Sequence, residues 1–168
     1  MRIFMAMMLL AGISAAQNNM PSPPATADVT LKGRQITISY SRPSMRGRKI
    51  MGGLVPYGQV WRTGANEATT LTTPVDLNVG GTNVPAGKYT LWTLPTASEW
   101  KLIVNKQTGQ WGTEYDQGQD LARVNMQKTM LSQPVEQFTI SWKKESDDSA
   151  DLVLEWEKTR VSVLVKAK

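Results

Sequence analysis

The sequence predicts an all-β protein, an antiparallel β-sandwich or jelly-roll-like barrel of about nine strands. Three observations carry that expectation. Runs rich in β-branched and aromatic residues recur through residues 28–168, and several alternate apolar with polar at the period of a pleated strand. Gly, Pro, Asn and Asp punctuate these runs where tight turns are needed. Beyond the first sixteen residues no stretch has a convincing helical period, and MQKTMLSQP is expected to make a single helical turn.

Those first sixteen residues, MRIFMAMMLLAGISAA, read as a secretory signal peptide. Arg2 gives the positive start, Ile3 to Ile13 the short apolar run, and Ser14, Ala15 and Ala16 the small residues of a cleavage site. The run is too short to span a bilayer. Ile13 stands where a lipidated Cys would be, so no lipid anchor is expected. Cleavage near Ala16 would deliver the chain to the periplasm or the medium, with no transmembrane segment in the mature protein. Residues 17–27, QNNMPSPPATA, are polar and proline-rich, and are expected to be a disordered tether. Residues 28–168 then form a single β domain.

Within that domain DVTLKG and QITISYS open the series, with Ile36, Ile38 and Tyr40 on one side of the pleat. GRKIMGGLVPYGQVW is glycine-rich and irregular. ATTLTT and VDLNV are strands broken by Pro74. Gly80 and Gly81 signal a hairpin, and TNVPAG a second turn. KYTLWTL and WKLIVN follow, then a long polar loop, QTGQWGTEYDQGQD. LARVNMQK, EQFTISWKK, ADLVLEWEK and RVSVLVK end the series. Pro134 opens one of these, ESDDSAD joins two, and Lys158 with Thr159 is expected to form a tight connection between the last two. Alternation places Trp142 with Phe138 and Ile140, Trp156 with Leu152 and Leu154, and Trp100 with Leu102 and Val104, all as core. Trp92 is ambiguous. Trp61 and Trp111 lie in irregular glycine-containing segments, either as an exposed aromatic platform or as caps on the end of the sandwich.

Composition removes much chemistry. The chain has no Cys and no His. That excludes disulfides, a thiol nucleophile, an imidazole base, a Ser-His-Asp triad and the usual zinc sites. No cofactor is implied. YDQGQD lacks the spacing of a calcium loop, so no metal site is assigned. The formal charge is +5, from 19 basic and 14 acidic residues, and loss of Arg2 with the leader lowers it by one. A mild basic excess suits anionic ligands or surfaces. With no nucleic-acid motif beside it, nucleic acid is not an expected partner.

Two constellations remain. Arg42, Arg46, Arg48 and Lys49 crowd one loop with Pro43 and Gly47. Guanidinium forks of this kind hold carboxylate or phosphate, although such clusters are also common on solvated loops. The second is WRTGANE, with Trp61, Arg62, Thr63, Asn66 and Glu67. An aromatic ring, an amide and a carboxylate together make a loosely specified sugar-binding kit. Alternatively, Arg62 and Glu67 clasp each other across the turn. Carboxylate pairing with Asp76, Glu114, Asp116 or Asp120 would allow Glu67 to act as the acid or base of a hydrolase, but spacing in sequence gives no separation in space.

The segment SRPSMRGRKIMGGLVPYGQVWRTGANEATTLTT, with VPAGKYTLWTLP and WKLIVNKQTGQWG after it, resembles an exported, β-rich bacterial family known only as a domain of unknown function. Its signature is SRP…GR…G.LVPYG.VWRTGANEAT, and the resemblance runs from about Asp28 to the C-terminus. It implies a compact exported β domain and brings no catalytic residues. The reading that follows is a non-catalytic binding module. Its ligand, small and anionic or a glycan, would lie on Arg42, Arg46, Arg48, Trp61, Arg62, Thr63, Asn66 and Glu67. The alternatives are a carboxylate-dependent hydrolase of envelope glycans, with Glu67 catalytic, and a structural protein that binds an envelope protein.

Overall fold

The computed structural model describes residues 21–168. The expected leader and residues 17–20 of the expected tether lie outside the described residues. The end of that tether differs from expectation. Residues 24–27 already belong to the first strand, β1 (Pro24–Leu31), and pair with Ser41, Tyr40, Ser39 and Ile38 of β2 (Arg34–Ser41). Proline misleads here because Pro24 opens an edge strand, where a missing N–H interrupts no ladder.

The chain continues through β3 (Thr70–Thr73), β4 (Leu77–Val79), β5 (Thr82–Val84), β6 (Gly87–Pro95) and β7 (Trp100–Asn105). Two long strands follow, β8 (Asp120–Lys144) and β9 (Ser149–Ala167). All nine are antiparallel, in the order β1-β2-β3-β6-β7-β8-β9-β4-β5. The sheet does not close, so of the two architectures expected it is sandwich-like and not a barrel.

The layers share β8. Its first residues pair with β7, from Asp120 opposite Asn105 to Met126 opposite Trp100, and the rest pairs with β9. The crossing needs a bend. Between Met130 and Val135, β8 advances five positions while β9 advances two, from Thr159 to Glu157. This irregularity replaces the expected helical turn in MQKTMLSQP, and it accommodates Pro134 because residues inside a bulge have no ladder partner. The expected break at Lys158 and Thr159 is also absent. Strand β9 runs through it, and Glu157 takes up the bend at φ 53°. Two pairs of expected strands thus fuse, while residues 82–84, expected in a turn, form β5.

The core follows the alternation. Ile36, Ile38, Tyr40, Trp100, Leu102, Val104, Phe138, Ile140, Leu152, Leu154 and Trp156 are all buried in one cluster. Polar bonds fix the layers to each other. Ile140 N donates to the Tyr40 hydroxyl at 3.0 Å, and Trp142 Nε1 donates to Ala27 O at 3.2 Å. Trp61 belongs to this core, so of the two readings open for it the exposed platform does not hold. It is 8% exposed, meets Trp100 and Phe138 edge-on, and stacks on Trp156 at 5.9 Å between ring centroids. Aromatic pairs of this kind contribute about 0.5–1.5 kcal/mol each beyond their buried area. Trp92 lies on the opposite face of the sheet. There it forms a second, smaller cluster with Ala68 and Ile103, packed by Val60, Leu94 and Tyr115.

Candidate functional site

The segment after Trp61 is a hydrogen-bonded corner. Trp61 exchanges backbone bonds with Thr93 of β6, N to O at 2.8 Å and 3.0 Å. The chain then turns through Thr63 at φ 54° and Asn66 at φ 60°. A β-branched residue in the left-handed region is strained, so it persists only where its surroundings hold it. The Thr63 hydroxyl lies 3.1 Å from Thr93 Oγ1 and 3.2 Å from Trp61 O, and Thr69 Oγ1 donates to Thr63 O at 2.7 Å. Thr63 is buried and lines neither cavity beside the corner. Past the turn, Glu67 and Trp111 form an isolated bridge. Gly112 N donates to Asn66 O at 2.9 Å, and Ala68 N to Gln110 O at 3.2 Å.

Most of the arginine loop is also occupied with holding itself. Arg42 is partly buried, and its Nε and Nη2 donate to Phe138 O at 3.1 Å and Thr139 Oγ1 at 2.7 Å. That guanidinium ties the end of β2 to β8. Arg46 Nη2 donates to Pro21 O at 3.2 Å. Arg48 closes its own turn, Nε to Met45 O at 3.0 Å and Nη2 to Ser44 O at 2.6 Å. Glu157 anchors the next turn by accepting from Ile50 N at 2.8 Å and Met51 N at 3.2 Å.

What does converge is smaller than expected. Arg48 and Arg62 line one cavity of about 420 Å³ with the edges of Trp61 and Trp156. Leu54, Val60, Pro43 and Thr113 contribute to its walls, and none of its lining residues is acidic. The clasp between Arg62 and Glu67 is not formed. The ion pairs among the described residues join Arg123 to Asp120, Lys143 to Glu145 and Arg160 to Glu155. Glu67 instead lines a separate groove of about 480 Å³ on the outer face of β1, β2 and β3. Asn66 lines neither cavity, and its Nδ2 donates to Ser22 O at 3.3 Å.

Residues 22–165 match the family described as "Protein of unknown function (DUF2911)". The chain belongs to that family. No curated protein and no solved structure gives a match. The matched span of this DUF2911 chain begins just before β1 and ends within β9, so both cavities lie inside it.

Three further residues of the DUF2911 chain shape the site. Gly112 lets the Arg62 stem lie flat. A Cβ there would stand 2.6 Å from Arg62 Cδ and 2.6 Å from Asn66 O. The loop over 106–119 that carries Gly112 is fixed from below by Asn105. Its buried Nδ2 donates to Asp116 O at 2.8 Å and Asp120 Oδ1 at 2.9 Å, and its Oδ1 accepts from Gln107 N at 2.9 Å. Tyr115 completes the anchor, donating to Asp120 Oδ2 at 2.7 Å while Arg123 Nη2 donates to its oxygen at 2.8 Å. Burial, and then the hydrogen bond to Asp120, push the Tyr115 hydroxyl up to about 12. Gly112, Leu54 and Thr113 were not legible as site residues, because nothing local distinguishes them from ordinary loop residues. Among the described residues no three His, Cys, Asp or Glu side chains are grouped to hold a metal ion. No helix there is long and apolar enough to cross a membrane.

Proposed function

We propose that this domain is an exported, non-catalytic binding module that takes an anionic group, carboxylate or phosphate, in the cavity between Arg48 and Arg62. One observation carries the reading. Two arginines line a concave site that no acidic residue lines, and Arg62 enters none of the ion pairs among the described residues. An unpaired guanidinium held over a glycine is a preorganised donor for an oxyanion. Export rests on the N-terminal sequence, with its positive start, apolar run and small-residue cleavage site. The hydrolase reading has less behind it, since Glu67 is the one acidic residue that lines its groove and a glycosidase works with two.

The test is titration calorimetry with inorganic phosphate and with galacturonate. Binding is expected to weaken as salt rises, because partly exposed charges are screened. Arg62→Ala and Arg48→Ala should each weaken it by roughly tenfold or more, the loss of charge-assisted hydrogen bonds worth about 1.5–3 kcal/mol. Arg42→Ala should lower stability and leave the affinity of the folded fraction unchanged, because it ties β2 to β8 and does not line the cavity. Equal affinity in wild type and the Arg62 variant would end the proposal.

A further inference from the structure

The groove beside Glu67 has no part in anion capture, and its chemistry is different. Glu67 and Trp111 face each other in an antiparallel bridge. The bonds that flank them, Gly112 N to Asn66 O and Ala68 N to Gln110 O, make them a non-hydrogen-bonded pair. In such pairs the Cα atoms are about 4.5 Å apart and the side chains lie together on one face. Both side chains are exposed, Trp111 by 48%. That indole ring belongs to neither buried cluster, unlike Trp61, Trp92, Trp100 and Trp156.

From Glu67 the groove runs across three strands. Register pairs Thr26 with Ser39 and Ser39 with Thr70, so three hydroxyl side chains form a row across β1, β2 and β3. Adjacent strands are about 4.8 Å apart, which gives a row of about 10 Å. All three line the groove, with Ser41 beside them. The Thr70 hydroxyl donates to Ala68 O at 3.1 Å and keeps its lone pairs. The lining therefore offers one carboxylate that can only accept and several hydroxyls that both donate and accept, and Trp111, bridged to Glu67 at the end of the groove, adds one ring face beside it. No Lys or Arg lines it. A ligand rich in hydroxyl donors, with an apolar ring face and no negative charge, matches that set. An apolar peptide would lack anchor pockets, and one ring with one carboxylate falls short of the aromatic cage that holds a quaternary ammonium.

We propose that this groove is a second site, for an uncharged glycan, with a sugar ring stacked on Trp111 and its hydroxyls bonded to Glu67 and to the row of Thr26, Ser39 and Thr70. This proposal does not rest on the anion reading. The two sites share no lining residue and are separable by mutation.

The experiment uses the mature chain with cellotetraose, chitotetraose and maltotetraose as probes, and choline and a proline-rich peptide as competitors of other chemistry. Trp111 is the tryptophan counted among the exposed large apolar residues, so acrylamide quenching of fluorescence reports mainly on it. At least one tetrasaccharide should protect the protein from quenching. By calorimetry, Trp111→Ala should weaken that probe about tenfold or more, as truncation of an aromatic anchor does. Trp111→Phe should retain most of the affinity, and Glu67→Gln should lower it. Arg62→Ala should leave saccharide binding unchanged while phosphate binding falls, which separates failure of one site from failure of the other. The proposal is overturned if none of the three saccharides binds, if only choline or the peptide protects Trp111, or if Trp111→Ala binds saccharide as wild type does.

Discussion

Gly112→Ala adds one methyl group at the point where the corner and the loop over 106–119 touch. The new Cβ would stand 2.6 Å from Asn66 O, 2.6 Å from Arg62 Cδ and 3.2 Å from Arg62 Cβ. The first is backbone and the other two belong to the root and stem of a side chain, so no flexible end can simply swing away. Relief requires a shift of the order of half an ångström or more. That shift would stretch the 2.9 Å bond from Gly112 N to Asn66 O and rotate Arg62 out of the cavity. Overpacking of this kind costs about 1–3 kcal/mol, and a weakened backbone bond adds up to about 1 kcal/mol. We expect a loss of about 2–3 kcal/mol, a Tm fall of roughly 5–10 °C for a domain of this size, and phosphate affinity reduced toward that of Arg62→Ala. Urea denaturation and calorimetry on the same preparation measure both, with Thr113→Ala as a neighbouring control expected to stay within about 0.5 kcal/mol. A Gly112→Ala protein as stable as wild type, with its phosphate binding intact, would refute the claim that this close approach positions Arg62.

Trp61→Ala should cost about 3–5 kcal/mol in urea denaturation, because it leaves a void among Trp100, Phe138 and Trp156. Trp111→Ala should change stability by no more than about 0.5 kcal/mol, and equal losses for the two would contradict their placement. Tyr115 gives the pH dependence. Folding raises its hydroxyl from the ordinary value of 10.0 to about 12, so the neutral phenol is the form the fold favours. Its contribution is whole below about pH 10 and is lost as pH rises toward about 12. Phenolate absorbance should show a late-titrating tyrosine that Tyr115→Phe removes. Tyr89 is raised in the same direction by burial and by the charge of Asp76, so the difference between wild type and variant is the measurement that decides.

The sequence by itself determined the fold class and most of the core. Alternation along QITISYS, FTISW and LVLEW assigns Ile38, Ile140, Leu154 and Trp156 to the inside, because the period of a strand is a property of the backbone and needs no knowledge of partners. It also bounded the chemistry, since a chain without His or Cys has few routes to nucleophilic catalysis. Tertiary structure decided what local period cannot express. Trp61 and Trp111 both sit in irregular glycine-containing segments, yet one is sealed against Trp156 and the other is exposed. Arg42 and Arg62 are the same residue type near the same loop. One is bound to Phe138 and Thr139, far along the chain, and the other lines a cavity. Pro134 and Lys158 read as breaks, but β8 and β9 run on through both, where the irregularity between Met130 and Val135 takes up the bend. In each case the deciding partner lies far away in sequence. The side of the sheet that an irregular segment covers, and which of its charged groups remain unpaired, are set by contacts that exist only once the strands have paired.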